Sequence, residues 1–247
     1  MNKTNKSTHP KHHQVLGPAI IQDILSWDIQ TWSACLELWQ ACGLDSFAGL
    51  KVLELGANQG GLSLYFALQG AEVLCSDLTD PRDKARDLHL RYGQSQIEYR
   101  ALDAMQLDLP DQSFDIVCFK SILGGIRRGR DLDPRPLVLQ EILRVLKPGG
   151  WLLFGENLAG SRLHMFLRQH FIVWAAGWDY LKLDQLPDLL AGFASWQSHA
   201  TGISALCGRN ERQRRILARL DQVIDPWFKP EHHYCVCVAA QKPDSQP

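Results

Sequence analysis

The sequence predicts an open α/β sheet with mostly parallel strands and helices on both faces. Short apolar segments of strand length alternate with longer segments whose apolar residues recur at helical spacing. Glycine-rich turns and aspartate-proline pairs separate these segments. One segment, Phe114–Phe119, is apolar except for Asp115, as expected for a strand covered on both faces. This alternation favours parallel strands joined by right-handed crossovers.

The composition is that of an ordinary globular protein of 247 residues, enough for one large domain. Its 26 basic and 27 acidic residues leave a net charge of −1, which disfavours nucleic acid as a partner. Seven cysteines are present, and Cys75, Cys118, Cys235 and Cys237 lie in apolar strand-like runs. We therefore expect buried free thiols in a reducing compartment rather than a disulfide framework.

The domain organisation predicted is a disordered tail at 1–16 and a single domain at 17–243. The tail is polar and lacks the apolar stretch of a signal peptide. No run approaches the length of a membrane-spanning segment, so we expect a cytoplasmic protein with no transmembrane segment. The helical part at about 157–194 interrupts the strand–helix rhythm and is interpreted as a cap inserted above the sheet.

The elements follow from apolar periodicity and turn residues in chain order. A long helix is predicted over 19–43, ending at Gly43. The strands predicted next are 51–55, 72–76, 96–101, 114–119 and 151–154, with helices at 62–69, 80–92 and 133–146. LysProGlyGly at 147–150 predicts a turn. The last third predicts helices at 161–178, 184–193 and 211–223 and strands at 195–206 and 233–240.

The residues at the carboxyl ends of the first strands matter most, because ligands of open α/β sheets bind there. A glycine-rich loop at 54–61 lets the backbone approach a ligand, and the next helix directs its N–H groups at a carboxylate. Asp77 follows the second strand at the right distance to accept the hydroxyls of a ribose, and Leu78 can cover a purine. Asp103 and Ala104 follow the third strand, where they can pair with adenine. These positions predict an adenosyl ligand that carries an amino acid.

Five motifs resemble the class I S-adenosylmethionine-dependent methyltransferases over roughly residues 50–156. They are Glu-x-Gly-x-x-x-Gly at 54–60, Asp77-Leu78-Thr79, Asp103-Ala104, the strand at 114–119 and LeuArgValLeuLysProGlyGly at 143–150. The resemblance implies a Rossmann-like open twisted sheet of about seven strands with an antiparallel C-terminal strand. It also implies an enzyme that uses S-adenosylmethionine and releases S-adenosylhomocysteine.

The resemblance assigns the cofactor-binding residues as well. The candidates are Glu54, Gly56, Ala57, Asn58, Gly60, Asp77, Leu78, Asp103, Ala104 and Phe119. The family often has glycine where Asn58 stands, but asparagine tolerates left-handed backbone. A nicotinamide dehydrogenase is disfavoured because its fingerprint needs a second glycine at that position, and because Glu54 suits an ammonium better than a diphosphate.

The acceptor side is less defined. Lys120 and Ser121 follow the fourth strand directly, and we hypothesise that Lys120 binds an anionic acceptor or lowers its pKa; a solvated loop lysine is the alternative. The Asn/Asp-Pro-Pro-aromatic motif of base and glutamine N-methyltransferases is absent. We expect transfer to a small-molecule or saccharide-type acceptor, at oxygen, with no general base identified. Arg127, Arg128 and Arg130 either guide an anionic acceptor or form a solvated loop.

Three further features leave alternatives open. The apolar stripe on 163–178, which is made of Leu163, Leu167, Phe171, Trp174 and Trp178, either caps the site or meets a lipid-linked acceptor, a membrane or another subunit in a homo-oligomer. Trp27 and Trp32 either close the site or belong to the core. The histidines, at 12, 13, 164, 170, 232 and 233 among others, lack zinc spacing, so no metal is predicted. A cofactor-binding regulatory protein without turnover is the second functional class.

Overall fold

The computed structural model describes residues 15–44, 46–127, 129, 131–171 and 177–244. The expectations for the tail before residue 15, for His12 and His13, for Arg128 and Arg130 and for Trp174 lie outside these ranges, as does the side chain of Phe171. Within them, no helix is both long and apolar enough to cross a membrane.

The central sheet has seven strands in the order β3-β2-β1-β4-β5-β7-β6. Their bounds are β1 Lys51–Leu55, β2 Glu72–Asp77, β3 Glu98–Ala101, β4 Phe114–Lys120, β5 Leu146–Asn157, β6 Ser195–Thr201 and β7 Cys235–Gln241. All pairs are parallel except those of β7, which runs antiparallel to β5 and to β6. The sheet is the Rossmann-like one predicted, with strand order reversing at β1 and β4.

Nine helices surround this sheet in the described ranges. They are α1 Pro18–Leu25, α2 Ile29–Ala41, α3 Gly61–Leu68, α4 Arg82–Arg91, α5 Leu123–Ile126, α6 Arg135–Val145, α7 Arg162–Phe171, α8 Leu186–Leu189 and α9 Glu211–Ile224. The two aspartate-proline pairs precede α4 and α6 as predicted. The carboxylates of Asp80 and Asp133 accept from the first backbone N–H groups, those of Arg82 (2.9 Å) and Arg135 (3.1 Å).

Two apolar clusters cover the two faces of the sheet. Alternate residues of each central strand point to opposite sides, so Val52 and Ile116 pack on one face while Leu53 and Val117 pack on the other. The first cluster also contains the aromatic side chains of α2 and α3, and the second contains α6 and α8. This double coverage explains why β1 and β4 are mostly apolar instead of alternating between apolar and polar residues.

The helix predicted over 19–43 is two helices, and the prediction was wrong there. The helix is interrupted at 26–28, where Ser26 and Asp28 have φ of 69° and 49°. Asp28 is buried, and its carboxylate accepts from the Tyr234 hydroxyl (2.6 Å) and the Thr31 hydroxyl (3.0 Å). The backbone N–H groups of Asp28 and Ile29 donate to Glu211 on α9 at 2.7 and 3.2 Å. These long-range bonds stabilise a left-handed residue that periodicity does not reveal.

The expectation of free thiols at all four strand cysteines was also wrong. Cys237 forms a disulfide with Cys35, joining β7 to α2, whereas Cys75, Cys118 and Cys235 are free and buried. The pairing occurs because α2 lies across β7 and brings together two residues 202 apart in sequence. The Cys235 sulfur lies within 4.8 Å of the other two sulfurs. The absence of a metal stays a prediction.

Several boundaries differ from those predicted. β5 begins at Leu146, so LysProGlyGly belongs to a strand with a register shift opposite Asp115 rather than to a separate turn. The helix predicted at 184–193 is a short 3-10 turn followed by α8, and the strand predicted at 195–206 ends at Thr201. The proposed apolar face of α7 is not its buried face, since Leu163 is exposed while His164 and Arg168 are buried.

Polar side chains face inward on α7 because backbone carbonyls satisfy them. His164 Nε2 bonds the Ile203 carbonyl (2.5 Å), and the Arg168 guanidinium donates to the carbonyls of Leu158 and Tyr234. The guanidinium also lies 4.0 Å from the centroid of the Tyr180 ring. The inward face of α7 is therefore anchored by polar contacts rather than by the predicted apolar stripe.

Replacing Tyr234 with phenylalanine should lower the free energy of unfolding by about 2 kcal/mol, because the buried Asp28 carboxylate loses a donor. Tyr92→Phe is the matched control, since its hydroxyl donates to the partly exposed Asp23 at 2.8 Å. That change should cost about 0.5 kcal/mol or less. Urea unfolding measures both, and equal losses would contradict the role given to the Asp28 network.

Candidate functional site

Two adjoining cavities lie beyond the carboxyl ends of β1, β2 and β4. One, of about 370 Å³, is bounded by the turn after β1, the α1–α2 break and the end of β4. The other, of about 530 Å³, is bounded by the ends of β2 and β3 and by α5. Gly56, Ser121 and Trp178 line both cavities, so they form one crevice at the point where strand order reverses.

The turn after β1 has left-handed backbone at three positions. Gly56, Asn58 and Gly60 have φ of 62°, 51° and 72°, so Asn58 takes the conformation expected of an asparagine in place of glycine. Packing also demands glycine at the ends of the turn. A Cβ on Gly56 would overlap the Ile122 side chain.

His89 contacts the same turn from α4. It was not identified from the sequence as a residue of the site. It is buried on α4, its Nε2 bonds the Gly60 carbonyl (2.8 Å), and its Nδ1 bonds the Tyr99 hydroxyl (2.7 Å). Burial lowers the pKa of His89. A histidine in the last turn of a charged helix carries no sequence signal of this contact, which depends on how α4 packs.

Glu54 is buried at the floor of the first cavity, where it begins the turn. Its carboxylate accepts from the Ser63 backbone N–H (2.7 Å) and from the Ser63 hydroxyl (2.5 Å) in the first turn of α3. Burial raises its pKa to about 7 despite these bonds. A carboxylate with this pKa is poised to lose its proton beside a cationic ligand group.

Asp77 and Asp103 both line the second cavity, as the sequence predicted for a shared site. The Asp77 carboxylate accepts from the backbone N–H of Asn58 (2.8 Å) and of Leu78 (2.7 Å), which turns it toward the glycine loop. The Asp103 carboxylate accepts from the Met105 N–H (2.9 Å). Leu78 is 71 % exposed beside them, an apolar side chain available to cover a ring.

The remaining cofactor candidates are Ala57, Ala104 and Phe119. Ala57 lines the first cavity and Ala104 the second. The side chain of Phe119 is buried in the core, where it stacks on Phe154 with ring centroids 4.8 Å apart. Phe119 lines neither of the two cavities.

Lys120 is more enclosed than a loop lysine, which rules out the solvated alternative. Its ammonium donates to the Leu25 carbonyl at the end of α1 and lies 5.9 and 5.3 Å from the ring centroids of Trp27 and Trp32. It also lines the first cavity, close enough to Glu54 for each charge to stabilise the other. Burial lowers the pKa of Lys120 to about 8.

Ser121 has a φ of 58°, and its N–H donates to the Gly155 carbonyl (2.8 Å). Its hydroxyl accepts from the Asn157 amide (2.8 Å). The Asn157 Oδ1 is buried without a hydrogen-bond partner among the described residues, and Asn157 lines the first cavity. The structure thus adds an unused acceptor atom beside the predicted acceptor residues.

Glu156 and Asn157 were missed because β5 was predicted to end at residue 154. Glu156 is buried and accepts from the backbone N–H groups of Leu123 and Asn157, both at 2.8 Å, so it orients the start of α5. Burial raises its pKa to about 7. The strand-end rule that found Asp77 and Asp103 would have found this pair had the strand been extended.

The other aromatic and basic candidates divide between the core and the site. Trp32 is fully buried in the core, whereas Trp27 lines the first cavity. Trp178 packs against Gly124 and Gly125, where a Cβ on Gly124 would overlap the indole ring. Arg127 pairs with Asp179 (3.1 Å) and Asp133 (3.7 Å), so its guanidinium is engaged by carboxylates rather than presented to a ligand.

Residues 53–154 match the family model described as "Methyltransferase domain". This range coincides with the part of the chain that carries the five motifs and the crevice. Over residues 53–154 the chain therefore matches a methyltransferase domain, consistent with the class I S-adenosylmethionine-dependent kind.

Curated relatives of this domain include enzymes of quinone biosynthesis. The chain is 32% identical over 148 residues to a ubiquinone/menaquinone biosynthesis C-methyltransferase of Idiomarina loihiensis, covering 56% of this chain and 53% of the relative. It is 36% identical over 107 residues to a ubiquinone biosynthesis O-methyltransferase of Leptothrix cholodnii, covering 42% and 43%. The chain therefore spans about half the length of the curated relatives it matches.

Solved structures share the fold of the methyltransferase domain at low sequence identity. Phosphoethanolamine N-methyltransferase 2 of Haemonchus contortus, in complex with phosphomonomethylethanolamine and S-adenosylhomocysteine, aligns with a TM-score of 0.61 and 17% identity, over 89% of this chain and 56% of that one. The [4+2]-cyclase SpnF aligns with a TM-score of 0.54 and 22% identity, over 80% and 76%. These likenesses concern the fold.

Gly60→Ala should lower the free energy of unfolding by about 3 kcal/mol, from left-handed strain and overpacking together. A Cβ there would lie 2.5 Å from His89 Nε2 and 2.8 Å from the Ala85 Cβ. Gly93 has the same φ of 72°, but a methyl group added there would meet nothing within 4 Å, so Gly93→Ala should cost only about 1 kcal/mol. Urea denaturation compares the two, and matching losses would show that the contact with His89 is unimportant.

Glu54→Gln should flatten the pH dependence of stability. In the wild type the folded carboxyl binds its proton up to a pKa of about 7 against an ordinary 4.5, so the folded state holds more protons over that window and stability falls as pH rises through it. Between those two pKa values, the free energy of unfolding of the variant should fall by up to ~3 kcal/mol less than that of the wild type. Glu98→Gln, on the edge strand, should follow the wild type. Parallel curves for Glu54→Gln and the wild type would contradict the assigned cause.

Proposed function

We propose that the chain binds S-adenosylmethionine along the crevice and transfers its methyl group to a small-molecule acceptor. One observation carries the proposal. Glu54, Asp77 and Asp103 stand at or beside the carboxyl ends of three neighbouring strands, and each lines one of two cavities that share a wall. A methionine end, a ribose and an adenine need three such polar partners in a row.

The residues present fit this cofactor. The buried Glu54 carboxylate suits the ammonium of the methionine moiety, and the backbone of Gln59 and Gly61, which line the first cavity at the start of α3, suits its carboxylate. Asp77 is oriented by two N–H groups and has acceptor capacity left for ribose hydroxyls. Asp103 and Leu78 supply a polar partner and an apolar cover for the adenine. We propose these residues, with Gly56, Ala57, Asn58, Gly60, Ala104 and Phe119, as the binding set.

The sulfonium supplies a methyl carbon with a good leaving group, so the protein mainly orients the acceptor and excludes water. Trp27 and Trp178 border the cavities and restrict solvent at the methyl end. Ser121 lines both cavities, and its hydroxyl, which accepts from the Asn157 amide, keeps a proton that it can donate to an oxygen of the acceptor. This polar pair favours oxygen as the methylated atom.

Lys120 is the residue we propose to act on the acceptor's charge. It reaches the first cavity from the end of β4, and its ammonium is held by a carbonyl and two indole rings rather than by a bound carboxylate. A cation with its lowered pKa stabilises an oxyanion of the acceptor more than water does, because it acts where solvent is scarce. Anionic acceptors, or hydroxyls that ionise readily, fit this position.

The non-catalytic alternative is a regulatory protein that binds the cofactor without turnover. It stays a second candidate because no general base was identified for the acceptor. The two classes separate experimentally, since transfer of labelled methyl from S-adenosylmethionine to any member of a phenol, quinol or saccharide panel requires an enzyme. Tight cofactor binding with no transfer across the panel would favour the regulatory protein.

Asp77→Ala should weaken S-adenosylmethionine binding by at least about tenfold, because the ribose loses a charge-assisted hydrogen bond of about 1.5 kcal/mol or more. Isothermal titration calorimetry measures this. Asp108→Ala is the control, since its side chain is 94 % exposed and makes only a surface ion pair with Arg100. If the wild-type chain gave no heat with the cofactor, or if both variants bound it equally well, the proposed site would be refuted.

Lys120→Met should lower kcat on any acceptor found in the panel by about tenfold or more while leaving the cofactor Kd within about threefold. In the wild type the rate should fall above pH about 8, where Lys120 loses its proton, and the variant should lack that limb. Lys51→Met serves as the control, because Lys51 is the first residue of β1 and lies at the opposite end of the strands from Lys120. Unchanged kcat, KM and pH profile in Lys120→Met would end this role for the residue.

A further inference from the structure

The exposed face of α9 carries an apolar row that no described residue covers. Ile216, Leu220 and Val223 are 61 %, 48 % and 65 % exposed, and Trp227 in the turn after the helix is 78 % exposed. Their spacing of four, three and four residues places them on one side of the helix. Four large apolar side chains in a line differ from the scattered exposed leucines that any surface has.

A row of arginines runs beside the apolar row. Arg212, Arg215 and Arg219 are exposed, at spacings of three and four residues. None of them makes an ion pair within the described part of the chain, whereas Arg214 on the next side pairs with Glu211 at 2.7 Å. The exposed positions of α9 include no carboxylate, although the whole chain has a net charge of −1. The positive charge is therefore local to this face.

The orientation of α9 is fixed from its inner side. The buried Asp221 carboxylate accepts from the backbone N–H groups of Ile203 (2.9 Å), Ser204 (2.8 Å) and Ala205 (3.2 Å). The Asn210 side chain caps the first turn by accepting from the Gln213 N–H (3.0 Å). Rotating the helix to bury the apolar row would break these bonds, so the row stays on the surface.

We propose that α9 and the turn after it form a docking surface for an anionic lipid bilayer. An interfacial helix buries its apolar side chains at the boundary of the headgroups and acyl chains while basic residues beside them contact anionic headgroups. Ile216, Leu220 and Val223 supply the apolar side chains, and the arginine row supplies the basic ones. Trp227 and Phe228 supply the aromatic residues that favour the interface.

Charge decides between a bilayer and a second copy of the chain. A two-fold contact through the same face would bring two arginine rows together with no carboxylate between them, which opposes association. An anionic bilayer complements both rows at once. The bilayer is therefore the occupant that the observed charges favour.

The docking surface lies next to the crevice. Glu211, in the first turn of α9, accepts from the N–H groups of Asp28 and Ile29 at the α1–α2 break. The Arg214 guanidinium lies 5.7 Å from the ring centroid of Trp27, which lines the first cavity. A chain docked through α9 therefore holds its cavity close to the bilayer, and, if the proposed function holds, its acceptor is a molecule that resides in or at the membrane.

Vesicle flotation of the full chain without cofactor tests the surface. Wild type should float with phosphatidylcholine vesicles that contain about one third phosphatidylglycerol, bind pure phosphatidylcholine vesicles at least about tenfold less, and be released at about 0.5 M salt. Replacing Arg212, Arg215 and Arg219 with glutamine should weaken binding by about 100-fold. Replacing Ile216, Leu220 and Val223 with serine should weaken it at least as much.

Matched controls separate the face from general charge and hydrophobicity. Neutralising Lys51, Lys84 and Arg86 with glutamine removes the same charge elsewhere, and replacing Leu90, Leu132 and Leu137 with serine removes exposed leucines elsewhere; both triples should float like wild type. Circular dichroism and cofactor titration check that each variant is folded.

The proposal would be overturned if the wild type floated with neither kind of vesicle. It would also be overturned if the α9 variants floated as well as the wild type. Equal binding to both kinds of vesicle would overturn the role of anionic lipid. A concentration-dependent dimer that the serine variant abolishes, with no vesicle binding, would assign the face to a second copy instead. Because flotation needs no cofactor, loss of the proposed function would leave this result unaffected.

Discussion

The site depends on one buried carboxylate at the start of the turn between β1 and α3. Glu54 accepts two hydrogen bonds from Ser63, which ties the end of the first strand to the first turn of the helix. The chain between them must reverse in a few residues, and it does so through left-handed backbone at Gly56, Asn58 and Gly60. The resulting turn lines the first cavity with Gly56, Ala57 and Asn58, and Glu54 lies at the floor of that cavity.

Neighbouring elements are arranged around that turn. His89 supports it from α4, Ile122 closes on it from the end of β4, and Asp77 bonds its backbone from the end of β2. The α1–α2 break lies over it because the Asp28 network fixes the path of the chain there. Lys120 links the end of β4 to the α1–α2 break, since its ammonium donates to the carbonyl of Leu25, the last residue of α1. Short contacts rather than a flexible loop thus connect the residues proposed for the cofactor with those proposed for the acceptor.

The sheet and most residues of the crevice could be predicted from the sequence. The carboxyl ends of parallel strands lie at one edge of the sheet, and the residues there directly follow each strand in the sequence. The carboxylates at 54, 77 and 103 follow from that rule, as do the sheet and its helices. Features set by distant contacts could not be predicted. The break at 26–28 depends on Tyr234 and Glu211, about 200 residues away, and the disulfide joins residues 202 apart. The inward histidine and arginine of α7 depend on carbonyls that only the folded chain supplies.

The central claim is that one adenosyl ligand is held along three adjacent strand ends, and a crystal structure of the chain grown with S-adenosylhomocysteine tests it most directly. We expect the ribose hydroxyls to bind Asp77 and the adenine to lie between Leu78 and Asp103. The amino group of the ligand should lie above Glu54, near the Phe119 carbonyl. Density for the ligand in another groove, or with its adenine directed toward Lys120, would contradict it.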